Sequence, residues 1–412
     1  MAIETNHPIM DTDIMLNQHY LNLSKYLLKV TSTLGFCPIY ADTKLGKIRI
    51  NNWSWARSIH SWMWLLTYGT IVVPTHLFEI YMARKGLEKL RSNPMAIYLF
   101  LGIIFCWMFT LFLGAYTFKP LAVSQYMNAF YKYLETFPAK YICRYDAAKE
   151  KRRRILLEFL LNNSTLFHFG VVTLSLIHCF LHPNAPSYPT FRVPPYLLSF
   201  PVRLASAGWF GVFALNFHIL AVIFFNLQLL YYFTIFCIIK DELRLGKAEY
   251  RTRDLLRKPN HLVANYRAIE ILLKILNVEV GMIFVPIQYC LILAILLCNV
   301  SLAFQWNMFK VITRMFLAGI MILLLGSWLI ILLLGGWHYQ ESEKTVESWK
   351  LDLFARRADR MYMKRVKLTC RPISYGDGKR YLMTPSQLLH FMETVGRETF
   401  VAFSTYSGFF GY

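Results

Sequence analysis

The feature that most constrains this chain is a series of long apolar segments, each about the length that crosses a lipid bilayer as a helix. The hydrocarbon core of a bilayer needs about 20 mostly apolar residues per helix, and 56% of the 412 residues are hydrophobic. A soluble protein of this size would not contain so much apolar sequence. The segments predict an all-α polytopic membrane protein with seven spans: 59–83, 94–118, 155–181, 204–239, 268–303, 312–337 and 386–412.

The distribution of basic residues predicts the orientation of these spans. Of the 44 Lys and Arg residues, 34 lie in the N-terminal segment and alternate loops, and 8 lie in the intervening loops. Basic loops remain on the cytosolic side, so we expect a cytosolic N-terminus and an extracellular C-terminus. Topology therefore accounts for the net charge of +20. The basic run 149–154 is expected to contact anionic membrane lipid, and no nucleic-acid partner is expected.

Two predicted spans are longer than a bilayer requires. Residues 204–239 would extend about 54 Å as a helix, whereas the hydrocarbon core is about 30 Å thick. The excess is expected to project into the cytosol. The loop at 182–201 contains six prolines, which exclude a helix and predict an ordered lid or rim on the outer side.

An amphipathic helix is predicted between the last two spans. It could lie flat on the membrane or pack against the projecting helix ends, and we favour packing because those ends have apolar sides to cover. The chain is thus divided into a six-helix bundle (1–339), a cytosolic amphipathic anchor helix (340–372) and a final span (386–412). The predicted apolar face carries Leu351, Phe354, Ala355, Ala358, Met361 and Tyr362, and the basic face carries Arg356, Arg360, Lys364 and Lys367.

Charged residues inside the final span distinguish it from the others. Glu393, Arg397 and Glu398 would be costly in lipid, and Glu393 is four residues before Arg397, so the two could pair. Small and hydroxyl side chains, among them Thr405, continue along the same helix. Such a stripe indicates either a close helix–helix contact or a water-filled path, and the charges favour the path.

Several short motifs in the C-terminal part are similar to those of the insect odorant receptors. They are "QESEKTVESW" (340–349), "RPI" (371–373) and the terminal "TYSGFFGY" (405–412). Together with seven spans and a cytosolic N-terminus, they resemble a tuning odorant receptor subunit rather than the shared co-receptor. The resemblance implies an odorant-gated, non-selective cation channel of four subunits, which assembles with the co-receptor in the plasma membrane of olfactory sensory neurons. It also implies that the last helix lines the pore, with the gate at Phe409 and Tyr412 one turn beyond.

The same resemblance implies a pocket for a small volatile hydrophobic ligand in the outer half of the bundle. We expect an apolar, aromatic-lined cavity with a few polar groups, although each aromatic residue could equally serve ordinary bundle packing. The candidate odorant-binding residues are Tyr98, Phe100, Phe167, Thr173, His178, Trp209, Phe213, Phe217, Tyr289 and Leu293.

Three other classes of membrane protein are compatible with some of these features. A G-protein-coupled receptor also has seven helices, but it needs the opposite orientation, and a related gustatory-type receptor channel is a second alternative. A secondary transporter would contain internal repeats, which are not evident. The sequence contains no His-rich metal cluster, nucleophile–base arrangement or phosphate loop, so we expect neither an enzyme nor a metal ion or cofactor.

Overall fold

The computed structural model describes residues 95–118, 120–144, 147–183, 188, 190, 193–350, 353–376 and 381–410, together with isolated pieces of the first 66 residues. The predicted first span, 59–83, lies almost entirely outside the described residues. The continuous elements are β1 (Ile39–Asp42), β2 (Lys47–Ile50), α1 (Met95–Phe118), α2 (Pro120–Tyr141), α3 (Ala147–Leu181), α4 (Phe200–Cys237), α5 (Pro259–Phe304), α6 (Val311–Ser348), α7 (Arg357–Thr369) and α8 (Pro385–Phe410).

The all-α membrane fold expected from the sequence is confirmed. Helices α1, α3, α4, α5, α6 and α8 cover the six predicted spans that fall within the described residues. Stretches of α3, α4, α5 and α6 are long and apolar enough to cross a membrane. As predicted, α4 and α5 exceed the length that a bilayer requires: α4 has 38 residues and α5 has 46.

Helix α2 was not anticipated, because it lies in the predicted loop between the second and third spans. Its apolar residues recur at helical spacing and are buried, whereas its other side is polar. The antiparallel pair β1–β2 packs against this helix. The Asn128 side chain accepts a hydrogen bond from the Ile48 amide at 2.9 Å and donates one to the Ile48 carbonyl at 2.8 Å.

Helix α4 lies at the centre of the bundle. It is apolar on all sides, which is typical of a helix that neighbours surround. Leu220, Ile223, Tyr231 and Ile235 are fully inaccessible to solvent. Proline near the first position of α4, α5 and α8 fits the helix start, where the missing N–H is not needed. A π turn, Ile238–Leu243, continues α4 beyond Cys237.

Helix α6 approaches the start of α8 very closely. A Cβ added to Gly335 would lie 2.9 Å from Met383 Cβ, and one added to Gly336 would lie 3.1 Å from Pro385 Cα. Only glycine allows this separation, because any side chain would displace the segment that leads into α8. The glycine pair therefore fixes where the final helix begins against the bundle.

The stretch 340–372 is divided between two helices. Residues 340–348 continue α6, and α7 begins only at Arg357. Met363 is buried against the bundle, whereas Met361 and Tyr362 of the predicted apolar face are 53% and 39% exposed. The predicted amphipathic pattern begins at Leu351, but residues 354–356 are not helical. Helix α7 therefore packs on α5 through a different face.

Candidate functional site

The helices enclose a large cavity beside the N-terminal halves of α4 and α6. It comprises about 710 Å³, including space that opens to the outside. Its wall is almost entirely carbon, so it suits a small apolar ligand whose binding is driven by burial. The lining residues come from α1, α3, α4, α6 and the loop before α4: Leu101, Gly102, Phe105, Cys106, Val171, Ser175, Tyr188, Phe210, Phe213, Ala214, Phe217, His218, Phe316 and Ile320.

A second cavity adjoins the large one further along α4 and α6, and we call it the small cavity because its volume is somewhat lower. It comprises about 590 Å³, again including open space. Phe105, Phe217 and His218 line both cavities and form the wall between them. Trp328 and Ser327 of α6 also line the small cavity.

Edge-to-face aromatic contacts fix the wall between the cavities. The ring centroid of Phe109 lies 5.0 Å from that of Phe213 and 5.9 Å from that of Phe217. Phe105 meets Phe217 edge to face at 5.9 Å. This arrangement is favourable for aromatic rings and ties α1 to α4, so the cavity walls are held in place without a ligand.

A polar network lies beside the large cavity. His178 Nδ1 lies 2.5 Å from the Tyr188 hydroxyl, and His178 Nε2 lies 3.2 Å from Thr313 Oγ1. Tyr188 belongs to the proline-rich stretch in which we predicted a lid, and its buried ring lines the cavity. His178 of α3 thus holds this tyrosine against the cavity, and Thr313 of α6 contacts the other nitrogen of that histidine.

Two residues of the predicted pocket set, Phe213 and Phe217, line the large cavity. His178 is buried next to it and touches it through Tyr188. The side chain of Tyr98 lies outside the described residues. The other predicted members have substantially exposed side chains and line neither cavity: Phe100, Phe167, Thr173, Trp209, Tyr289 and Leu293.

Several residues that line the large cavity were not among the predicted pocket residues. Phe105 and Cys106 on α1, His218 on α4, and Phe316 with Ile320 on α6 were not predicted. No periodic signal distinguishes them, because these helices are apolar on every side.

The final helix presents one buried face and one exposed face. Phe391 and Val395 pack into the core, whereas Glu393, Arg397 and Thr405 are exposed. The predicted pairing of Glu393 with Arg397 is not observed. Arg397 pairs instead with the adjacent Glu398 at 3.0 Å. The side chain of Phe409 and the whole of Tyr412 lie outside the described residues.

The exposed face of α8 is mixed in character. Leu389 and Phe400 are each 72% exposed and Val401 is 50% exposed, and they lie among the charged residues. Lipid would suit the apolar members but not the charged ones. This face is therefore suited to contact with both protein and water.

A shared hydrogen-bond acceptor connects the small cavity to the segment before α8. Gln288 Oε1 on α5 accepts a hydrogen bond from Trp328 Nε1 at 3.2 Å and another from the Tyr381 hydroxyl at 2.6 Å. Burial raises the pKa of Tyr381, so its hydroxyl retains the proton that it donates. Trp328 lines the small cavity, and Tyr381 lies four residues before α8.

The opposite end of α4 carries a cluster of ion pairs, which we call the charged end: Arg153, Asp241, Glu242, Lys247 and Arg251. Asp241 pairs with Arg153 and, at 2.9 Å, with Lys247. Glu242, only 1% exposed, accepts hydrogen bonds from Arg251 at 2.8 Å and Thr252 at 3.0 Å. The charged end lies about 40 Å from Ala214 along the helix axis.

Comparisons with known proteins identify the fold. No family model matches the chain, and no curated protein matches it. The structure of the insect olfactory receptor OR5 from Machilis hrabei matches with a TM-score of 0.68 and 13% identity, covering 94% of this chain and 98% of that one. The same receptor in complex with eugenol matches with a TM-score of 0.62, 14% identity and the same coverage.

These matches and the bundle geometry define the structural class of this protein. It is an all-α membrane protein with an apolar cavity enclosed between its helices. Its fold is that of the insect olfactory receptors. The resemblance that we drew from the C-terminal motifs is therefore confirmed at the level of the fold.

Proposed function

We propose that this chain is the odorant-binding subunit of a ligand-gated, non-selective cation channel. Its ligand is a small volatile hydrophobic molecule, and the large cavity is the binding site. The subunit assembles with the odorant co-receptor as a heterotetramer in the plasma membrane of olfactory sensory neurons. It acts as a receptor and not as an enzyme.

The observation that carries this proposal is the aromatic-walled cavity, enclosed by α1, α3, α4 and α6 in a chain with the olfactory receptor fold. Volatile ligands offer little besides carbon surface, and burial of that surface is favourable by roughly 25 cal/mol per Å². The match to OR5 in its complex with eugenol supports a small volatile ligand for this chain too.

The final helix is proposed to line the pore. Its exposed face carries Glu393, Arg397 and Glu398 toward one end and Thr405 toward the other. Phe409 is proposed as the constriction, with Tyr412 beyond it, because an apolar ring can close a pore by excluding water. Ligand binding opens the pore only if the ligand binds the open arrangement more tightly than the closed one.

The test is whole-cell current from the chain co-expressed with an odorant co-receptor, with the co-receptor alone as reference. Ala214 on α4 is buried and lines the large cavity. The variant Ala214→Phe places a ring in the ligand space, so we expect the odorant concentration for half-maximal current to rise about 5- to 150-fold, because overpacking a filled site costs about 1–3 kcal/mol.

The matched control is Ala205→Phe, the same substitution on an exposed position of α4, and we expect wild-type current from it. Surface labelling of both subunits must accompany each recording. Absence of current for every odorant at normal surface expression, or full activity of Ala214→Phe, would contradict the proposal.

A further inference from the structure

Two histidines face each other inside the bundle at the junction of the two cavities. His168 on α3 and His218 on α4 are each 7% exposed. Their Nδ1 atoms lie 2.9 Å apart, within hydrogen-bond distance. His168 lines the small cavity, and His218 lines both cavities. These imidazoles are polar groups on walls that consist mostly of carbon.

The Nδ1–Nδ1 contact determines how the two rings carry their protons. A neutral imidazole has one N–H and one bare nitrogen, and a charged ring would be costly in this apolar, buried position. The ring that donates from Nδ1 must have a bare Nε2, and the ring that accepts at Nδ1 must carry its proton on Nε2. The pair therefore offers one donor and one acceptor at its two Nε2 atoms.

Neither Nε2 atom has a hydrogen-bond partner among the residues that the structure describes. The contact is satisfied whichever ring donates, so His218 can present either a donor or an acceptor. An unpaired polar nitrogen on an apolar wall loses free energy unless a ligand supplies the missing partner.

We propose that the His168–His218 pair makes the cavities select ligands with a single hydrogen-bonding oxygen over hydrocarbons of the same shape. The class comprises alcohols, phenols, aldehydes and ketones, because either a hydroxyl or a carbonyl oxygen can complement one tautomer of His218. This inference rests on the proposed function, since it assumes that the cavities hold the ligand. The carbon part of the ligand is buried against Phe213 and Phe217, and its oxygen binds His218.

The test compares oxygenated and hydrocarbon ligands of matched size on the chain co-expressed with the co-receptor. Octan-1-ol with nonane, and 4-ethylphenol with 4-ethyltoluene, are suitable pairs. In His218→Leu, the concentration for half-maximal current should rise about two- to tenfold for the oxygenated member, which corresponds to one lost hydrogen bond. The hydrocarbon should change less than twofold, so the ratio of the two concentrations is the readout.

Two variants separate hydrogen bonding from a general effect on packing. His218→Gln keeps a donor and an acceptor and should retain most of the preference. His261→Leu removes an imidazole that contacts the Tyr141 hydroxyl at 3.1 Å, away from both cavities, and should leave the ratio unchanged. If His218→Leu does not reach the cell surface, the double variant of His168→Leu and His218→Leu is tested instead. The double variant leaves no buried imidazole without its partner.

The outcomes distinguish this inference from the proposed function. Failure of every ligand to open the wild-type channel counts against the proposed function itself. Equal sensitivity of the wild type to both members of each pair overturns the selectivity inference alone. An equal shift for both members in His218→Leu overturns it as well.

Discussion

The charged end of α4 and the part of α4 that lines the cavities differ in how their polar groups are paired. At the charged end, Asp241 and Glu242 are buried and each carboxylate has two partners. Beside the cavities, His168 and His218 use one nitrogen each for their mutual contact, and the other nitrogen has no hydrogen-bond partner among the described residues. Buried carboxylates with two partners each stabilise the fold, whereas unused hydrogen-bonding capacity beside a cavity is available to a ligand. The difference separates a region that holds the fold from a region suited to recognition.

Further contacts reinforce the charged end. Thr345 Oγ1 of α6 lies 3.1 Å from the Ile239 carbonyl oxygen and 2.7 Å from the Glu341 carbonyl oxygen, so the two carbonyls share its one proton, and Trp349 Nε1 donates to the Leu243 carbonyl at 3.0 Å. Two carbonyls of the π turn, which a regular helix would satisfy differently, are thus contacted by side chains at the end of α6 and directly after it. This joins the ends of α4 and α6 into one rigid unit.

The largest expected effect comes from breaking a buried ion pair at the charged end. Glu242→Leu removes the carboxylate that accepts from Arg251 and Thr252, and loss of one partner of a buried pair costs about 3–5 kcal/mol. We expect a large fall in thermal stability, measured by fluorescence-detected size exclusion after heating, with little folded protein at the cell surface.

The control for this prediction is Glu158→Gln, which weakens the more exposed pair with Arg154 on α3. Such surface pairs contribute roughly 0–1 kcal/mol, so its melting temperature should be near that of the wild type. Equal stability of Glu242→Leu and Glu158→Gln would show that the buried ion pair does not stabilise the charged end.

A smaller effect is expected from the link between the small cavity and the final helix. Gln288→Leu removes the oxygen that Trp328 and Tyr381 share. Residues that couple two sites without touching a ligand typically change the coupling by 0.5–2 kcal/mol. Half-maximal current should therefore need a roughly 2- to 30-fold higher odorant concentration, while direct binding of the odorant is nearly unchanged.

Two variants that each remove one hydrogen-bond donor provide an internal check on this link. Trp328→Phe and Tyr381→Phe each remove one donor and keep Gln288, so each should reproduce part of the change. A parallel loss of binding and of current in Gln288→Leu would place this residue in the pocket rather than between the pocket and α8.

The smallest effect is expected from an exposed charge on α8. If this face meets permeating ions, the Glu393 carboxylate raises the local cation concentration, and its influence is screened by salt. Glu393→Gln should lower single-channel conductance by at most about twofold at 0.01 M salt and less at 0.15 M. Glu135→Gln, on an exposed position of α2, should have no effect, and identical conductance in Glu393→Gln at both ionic strengths would argue that ions do not pass this face.

The sequence predicted correctly the features that follow from hydropathy along the chain. The apolar segments predicted the spans at α1, α3, α4, α5, α6 and α8 within a few residues at most boundaries, because bilayer thickness sets their length. The extension of α4 and α5 followed from the same arithmetic. Helix α2 was missed because its pattern is amphipathic and too polar for a span.

The pocket shows the limit of that reasoning. Position along a span gives depth in the membrane, which placed Phe213 and Phe217 correctly at the level of the large cavity. It does not give the direction of a side chain around the helix when all sides are apolar. Trp209 and Tyr289 lie at similar depth but are 50% and 65% exposed on the chain's outer surface.

The sequence by itself determined that this chain is a helical membrane protein, how long its helices are and where charge interrupts them, since these properties depend on local hydropathy and helical rise. Only the tertiary structure decided which residues meet across helices. The His168–His218 contact spans 50 residues of sequence, and Gln288 bonds to Tyr381 93 residues away. Such pairings depend on the rotation and crossing of packed helices, and hydropathy does not record either of these.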